Sequence, residues 1–331
     1  MKKLGLLVLV LCLVLGSVSG ALAADKVVMK LGTIENSNNL GALAVNRFAD
    51  IMKERTDGNF VIEIYHDSQL GDAMQQLDQV KSGTLQGFRC SISWLAGYVG
   101  DVGIVEFPYL CATAEEAEKI AMSEALQEVN DRVAADHNIR WVTASWSRLP
   151  RHLMTKKPVT SLEDLKGMRL RVPDAKTYIE SFKALGATPT IVAFGETYLA
   201  LQQGVVDGAE NHIESLYNQK WHEVAPHLTL TGHAQDVTGF MVNAKWWDTL
   251  PEEYKTLFVE VDKEVNEWFV EELAKAADKY MELMIQEGVT VHEVDVAEFE
   301  NAIFPGVAYA IEEEGFWAPG LTDLIIEVKG N

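Results

Sequence analysis

Cysteine is scarce in this chain: three among 331 residues, Cys12, Cys90 and Cys111. Cys12 sits in an apolar N-terminal run with Leu11 before it, where a lipoprotein signal would carry a small residue. Cys90 and Cys111 read either as small buried residues or as a disulfide in an oxidising compartment, and their spacing fits no zinc pattern. Positive charge is also short. Twenty-eight Lys and Arg face 49 Asp and Glu, for a net charge of -21, which argues against nucleic acid or anionic membrane surfaces as partners. An anionic ligand would need a local basic site set against that global field.

Motifs of catalysis are missing too. The sequence has no G-x-S-x-G, no H-E-x-x-H, no P-loop and no G-x-G-x-x-G after a strand, so nothing positive supports an enzyme, and no cofactor is expected. The eight histidines do not cluster at ligand spacings; His212, His222 and His227 read as solvated or capping residues, and no metal is expected. No Gly/Ser-rich linker, no usable internal repeat and no second apolar run long enough to span a bilayer is visible.

What is present begins with the N-terminus. Lys2 and Lys3, the uncharged run Leu4 to Val18 and the small residues of Ala21-Leu22-Ala23 form the three parts of a secretory signal peptide, residues 1–23. The run is short for a transmembrane anchor. The expected mature chain is soluble, lies in the periplasm and is long enough for two domains.

Strand and helix patterns then alternate. Val27 to Gly32, Asn59 to Tyr65 and Gly87 to Ser91 read as strands, with helices at Ala42 to Glu54 and Met74 to Lys81. A second unit reads as strands at Trp141 to Trp146, Met168 to Val172, Thr190 to Phe194 and Val205 to Glu210. Its helices are a short one at Ser161 to Leu165, then Lys176 to Leu185 and Glu196 to Gln203. This alternation predicts an α/β fold with a mostly parallel sheet. Glu252 to Glu287 is helical almost without interruption, longer than ordinary globular helices.

In Met168 to Val172, strand alternation sets Arg169 and Arg171 on the face opposite Met168, Leu170 and Val172. Arg171 lies at the carboxyl end of the strand, where ligands of open α/β sheets gather. Its planar guanidinium matches a carboxylate in two hydrogen bonds. A surface arginine paired with Asp or Glu is the other reading, and spacing alone leaves both open.

The run L-R-V-P, then A-L-G-A-x-P-T, then F-G-E-x-Y-x-A-L-Q-x-G-V-V-D-G-x-E-N resembles the substrate-binding proteins of TRAP transporters, the DctP family. "SQLGD" at Ser68–Asp72, "SGTLQG" at Ser82–Gly87 and "DLKG" at Asp164–Gly167 match as well, and the likeness covers essentially the whole mature chain. The resemblance implies a two-lobed periplasmic-binding-protein-like fold, a long helix spanning both lobes, and a carboxylate ligand enclosed between them. The first lobe would be 24–148 plus about 237–276, the second 149–236 plus about 277–331. The implied partner is a TRAP membrane permease, and the implied role is capture without chemistry. A ligand-sensing protein of the same fold would share the cleft, and a periplasmic enzyme on the same scaffold is the third reading.

Carried over by position, Arg171 matches the arginine that pairs with the ligand carboxylate, Arg151 a supporting arginine, Phe194 an aromatic that packs on the ligand, and Asn211 a carboxylate-binding asparagine. Asp174 could accept from a ligand amine or hydroxyl. Where the sialic-acid branch places polar or charged groups, this chain has Ile34, Ala73, Ser91 and Trp94, which disfavours a sialic-acid-like polyol. His212 replaces a turn proline. Arg89 reads equally as a third basic contact or as the partner of an acidic neighbour. Apolar and aromatic walls rank an organic acid with an apolar or aromatic body first, a C4-dicarboxylate second and a sugar acid third.

Overall fold

The computed structural model describes residues 26–330; the expected signal peptide, residues 1–23, lies outside them. Eleven strands form two sheets: β1 Val27–Gly32, β2 Phe60–Tyr65, β3 Gly87–Ser91, β4 Ile139–Trp141, β5 Arg151–Thr155, β6 Arg169–Val172, β7 Thr188–Ile191, β8 Gly208–His212, β9 His227–Thr229, β10 Thr238–Asn243 and β11 Thr290–His292. The first sheet has the order β2-β1-β3-β10-β4 and the second β11-β9-β5-β8-β6-β7. Each is the centre of one lobe.

The sheets are mixed rather than mostly parallel. β1 runs parallel to β2 and β3, and β6 runs parallel to β7 and β8. β10 is antiparallel to both β3 and β4, and β5 to both β8 and β9. β5 and β10, like β11, which runs parallel to β9, are reached by crossing from the other lobe. They enter their sheets without a βαβ crossover, and only that crossover enforces parallel pairing.

Side-chain alternation decides how the first sheet is covered. Phe240 and Val242 of β10 join Phe48 of the helix Leu40–Arg55 and Phe258 of the helix Glu252–Gln286 in one core, while Met241 points to the opposite face with Leu77 and Val80 of the helix Ala73–Ser82. Each fully buried large apolar chain contributes roughly 1.5–3 kcal/mol. The helix Ala73–Ser82 is fixed at both ends. Asp72 forms a capping box with Gln75, and Gly83 ends it at φ 82°, a left-handed conformation that a Cβ disfavours.

The long helix covers Glu252–Gln286, 35 residues or about 52 Å at 1.5 Å per residue. Tyr254 through Leu273 pack in the first lobe's core, and Met284 packs with Trp221 and Leu228 in the second's. The C-terminal segment reaches both lobes, with Glu314 paired to Lys176 of the second at 2.6 Å and the next residues packed on the first. Trp317 stacks edge-on against Phe107 at 6.0 Å, and the Ala318 N–H donates to Asp101 at 2.7 Å.

The expected strand Trp141 to Trp146 ends at Trp141. Trp146 has φ 54°, which breaks extended backbone, and its side chain is buried with its Nε1–H donating to the Asp262 carbonyl at 3.1 Å. Beyond β4 the chain crosses between lobes, bonded to the returning strand: Val142 N to Phe240 O at 2.9 Å, Ser145 N to Thr238 O at 2.9 Å and Arg151 N to Ala234 O at 3.0 Å. The expected strand at Thr190 to Phe194 forms two residues earlier as β7, which leaves Phe194 in a short turn of helix. Cys90 and Cys111 are buried free thiols rather than a disulfide.

Candidate functional site

A cavity of about 600 Å³ lies between the two sheets. Of the residues singled out in the sequence, Arg171, Arg151, Asn211, Phe194, Asp174, Trp94, Ser91 and Ile34 all line it. Two do not. Ala73 is the first residue of its helix and is buried against the first lobe's core, so that Met74 takes the place on the wall. Arg89 is 1% exposed behind the wall, its guanidinium 3.9 Å from the Trp146 ring, donating to Thr238 Oγ1 at 2.7 Å and lying 3.8 Å from Glu35. It is the partner of an acidic neighbour rather than a third basic contact.

The three arginines that face the cavity differ in what neutralises them. Arg151 of β5 donates through Nε to Glu210 Oε2 at 2.5 Å, through Nη2 to Glu210 Oε1 at 2.8 Å, and through Nη1 to Asp236 at 3.1 Å. Burial alone would lower its pKa, but Asp236 and Glu210 outweigh that and hold it well above the ordinary arginine value. Arg148 is paired with Glu35 and lies 3.3 Å from His212 Nε2. Burial acts against its charge as well, and Glu35 and Asp236 again prevail.

Arg171 is different. It is 2% exposed, its Nε donates to the Val192 carbonyl at 2.9 Å, and its guanidinium carbon is 5.8 Å from the Trp221 ring. Among the described residues no carboxylate lies within ion-pair distance. Burial pulls its pKa down to about 10, opposed by the more distant Glu210, so it remains a cation at neutral pH. A buried guanidinium without a counter-ion is unfavourable until one arrives. Its neighbour Arg169, on the same strand face, is exposed and paired with Asp207 at 2.6 Å. Strand position alone separates the two: only the carboxyl end of β6 opens on the cleft.

Asn211 of β8 accepts the His212 N–H at its Oδ1, 2.9 Å away, which leaves its amide nitrogen as the group able to donate to a ligand. His212 Nε2 is 2.8 Å from Asp236 Oδ2, and burial together with the nearby arginines keeps the ring neutral. Phe194 lies 5.7 Å from Trp221, ring to ring, and Asp174 stands exposed at the rim.

The cavity also carries groups that the sequence reading missed: Glu35, Ser93, Glu106, Arg148, Tyr178, Asp236 and Thr238. Arg148 stands three residues before Arg151, and that spacing was the one available signal. Ser93 and Glu106 lie in the short turns Ile92–Gly97 and Gly100–Glu106 respectively, which have no periodicity to read. Among the described residues no group of His, Cys, Asp and Glu is arranged to hold a metal ion, and no helix is long and apolar enough to cross a membrane.

An interlobe cleft faced by a buried arginine that has no carboxylate partner among the described residues fits a solute-binding protein, and comparison with known proteins gives that class. The chain belongs to the family described as bacterial extracellular solute-binding protein, family 7 (DctP), whose profile matches residues 31–314. It is 28% identical over 300 residues to the solute-binding protein RD1_1052 of Roseobacter denitrificans, covering 89% of this chain and 90% of that one. A TRAP periplasmic solute-binding protein of Actinobacillus succinogenes with bound L-galactonate superposes at a TM-score of 0.85 with 28% identity, over 92% of this chain and 99% of the other. A TRAP periplasmic solute-binding protein of Ochrobacterium anthropi with bound L-fuconate superposes at 0.84 with 30% identity, over the same shares. The two-lobed α/β fold and the long shared helix expected from the sequence are both present.

Proposed function

We propose that this protein captures a small organic acid in its interlobe cleft, outside the cytoplasm, and delivers it unchanged to a TRAP-type membrane permease. The observation that carries the reading is Arg171: a buried guanidinium that faces the cavity with no carboxylate partner among the described residues. A ligand carboxylate would complete two parallel N–H···O bonds there, with Asn211 donating beside it. Arg151, already held by Glu210 and Asp236, would stiffen the floor of the site without binding the carboxylate itself. The bound L-galactonate and L-fuconate of the similar structures are both carboxylates.

The test is calorimetric titration of the acid that co-purifies with the protein, identified by mass spectrometry after denaturation. Arg171→Lys keeps the charge but not the planar fork, and a loss of at least tenfold in affinity is expected. Undiminished affinity in Arg171→Lys would remove the assignment. The sequence ranking placed an apolar or aromatic ligand body first, on the strength of Ile34, Trp94 and Phe194. All three line the cavity, but Ser91, Ser93, Glu106 and Thr238 line it too.

A further inference from the structure

Three oxygen-bearing side chains of the first lobe close a ring on the cleft wall. Ser91 Oγ is 2.7 Å from Ser93 Oγ, Ser93 Oγ is 2.7 Å from Glu106 Oε2, and Ser91 Oγ is hydrogen-bonded to Glu106 Oε1. The Ser93 N–H also donates to Ser91 Oγ at 3.1 Å, which fixes that oxygen in place. All three residues line the cavity, and Glu106 is 4% exposed.

Counting protons points to what the ring contains. Three O···O hydrogen bonds need three protons, and each serine hydroxyl holds one. An ionised carboxylate only accepts, so a charged Glu106 would leave one edge with two lone pairs facing each other. A carboxylic acid supplies the third proton. Burial, and after it the charge of Asp236, pushes Glu106 in the same direction, up to about 8, against the opposing pull of Ser91, Ser93 and Arg151. With all three protons spent inside the ring, only lone pairs remain to face the cleft.

We infer that Glu106, a neutral acid within the ring it closes with Ser91 and Ser93, is a specificity-determining residue that accepts hydrogen bonds from ligand hydroxyls and turns away a second ligand carboxylate. This rests on the carboxylate-binding reading of Arg171 and names the ligand class more closely: a hydroxylated monocarboxylic acid. A second carboxylate offers only acceptors to a wall of acceptors, with Asp236 and Glu35 close by. A hydrocarbon body leaves the ring unsatisfied. An ammonium group would draw the proton off Glu106 and open the ring. Raising the pH past about 8 does the same, and it places a new negative charge beside Asp236, Tyr178 and Cys90, with Arg151 the nearest compensating cation.

The test is calorimetry on the full-length mature protein with gluconate, galactonate and glucuronate against succinate, phenylacetate and leucine. Wild type, Glu106→Gln, Glu106→Ala and Arg171→Ala are compared at pH 6.5 and pH 9. Wild type is expected to bind at least one hydroxylated acid at least tenfold more tightly than succinate, phenylacetate or leucine, and to weaken at pH 9. Glu106→Gln, a neutral donor and acceptor of the same shape, should stay within about threefold of wild type and lose that pH dependence, whereas Glu106→Ala should lose about tenfold or more. Carbon-13 titration of the glutamate carboxyls should show a signal still protonated at neutral pH that disappears in Glu106→Gln. Preference for succinate, phenylacetate or leucine, Glu106→Ala binding as wild type does, or absence of the protonated signal each overturns the inference. Arg171→Ala keeps the two readings apart: if it still binds every acid, the anchor is wrong, whatever Glu106 does.

Discussion

Arg151 and Glu210 meet side by side across adjacent antiparallel strands, with two hydrogen bonds of 2.5 and 2.8 Å between guanidinium and carboxylate, and neither residue is more than 7% exposed. His233 Nε2 lies 3.2 Å from the same carboxylate, and Asp236 takes the remaining edge of Arg151. Glu210 therefore does not compete for Arg171. The pair organises the floor of the cleft and leaves Arg171 without a carboxylate partner among the described residues.

Glu210→Ala should accordingly be costly, because it leaves Arg151 half compensated and His233 without its partner. A loss of about 3–5 kcal/mol is expected from denaturant unfolding, and a loss under 1 kcal/mol would show the pair to be incidental. The same carboxylate predicts acid sensitivity. Burial would raise its pKa, but Arg151 and His233 hold it at about 2, below the ordinary 4.5. A depressed acid contributes stability that is complete above 4.5 and drains away as the pH falls toward 2. Unfolding free energy in wild type should fall through that window more steeply than in Glu210→Gln.

Arg171 presents the opposite case. Replacing it with Met removes a buried cation that has no carboxylate partner among the described residues, at the loss of one hydrogen bond to the Val192 carbonyl and of the contact with the Trp221 ring. Ligand-free Arg171→Met should be as stable as wild type or more stable by about 1 kcal/mol, while acid binding is lost. Thermal melts without ligand, paired with titrations, check both halves. A variant that loses stability and binding together would point to a structural role.

Trp146 ties the crossing segment to the first lobe. Its ring packs on Arg89 at 3.9 Å, on Phe240 at 5.5 Å and on Phe269 at 6.3 Å, and it is fully buried. Trp146→Ala should lose about 3–5 kcal/mol in chemical denaturation, since the cavity lies where sheet, long helix and crossing strand meet.

The lobes also touch directly. The Leu40 N–H, at the start of the helix Leu40–Arg55, donates to Glu214 of the second lobe at 2.8 Å, and Asn218 Nδ2 donates to Asn39 Oδ1 at 2.8 Å. Neither Glu214 nor Asn218 lines the cavity. Glu214→Ala should therefore weaken ligand affinity by about tenfold through loss of closure alone. Small-angle scattering at saturating ligand should show a larger radius of gyration for the variant than for wild type. Equal radii would assign closure to other contacts.

Much of this molecule was legible in its local pattern. β1 and β3 fall on the expected residues, the long helix begins at the expected Glu252, and the two arginines of β6 share a face as alternation requires. Period-two and period-3.6 patterns are local properties of the backbone, so one sequence suffices to read them. The position of Arg171 at the carboxyl end of a strand is of the same kind. Trp146 escaped because an aromatic between polar residues reads as strand, while burial of its ring against residues 94 to 123 positions away set its backbone.

What the tertiary structure decided is which charges remain unspent. The sequence places Arg171 at a strand end but says nothing of which carboxylates will meet Arg89, Arg148, Arg151 and Arg171. Folding brings Glu35 to Arg148 from 113 residues away and Asp236 to Arg151 from 85. It buries Arg89 behind the wall, 3.8 Å from Glu35, and of these four leaves Arg171 alone without a carboxylate partner among the described residues. Glu106 is likewise an ordinary acid in sequence, and only folding buries it near Asp236 and sets it in a ring with Ser91 and Ser93. Charge compensation depends on distance through space and on exclusion of water, and neither is written in the spacing of residues along the chain.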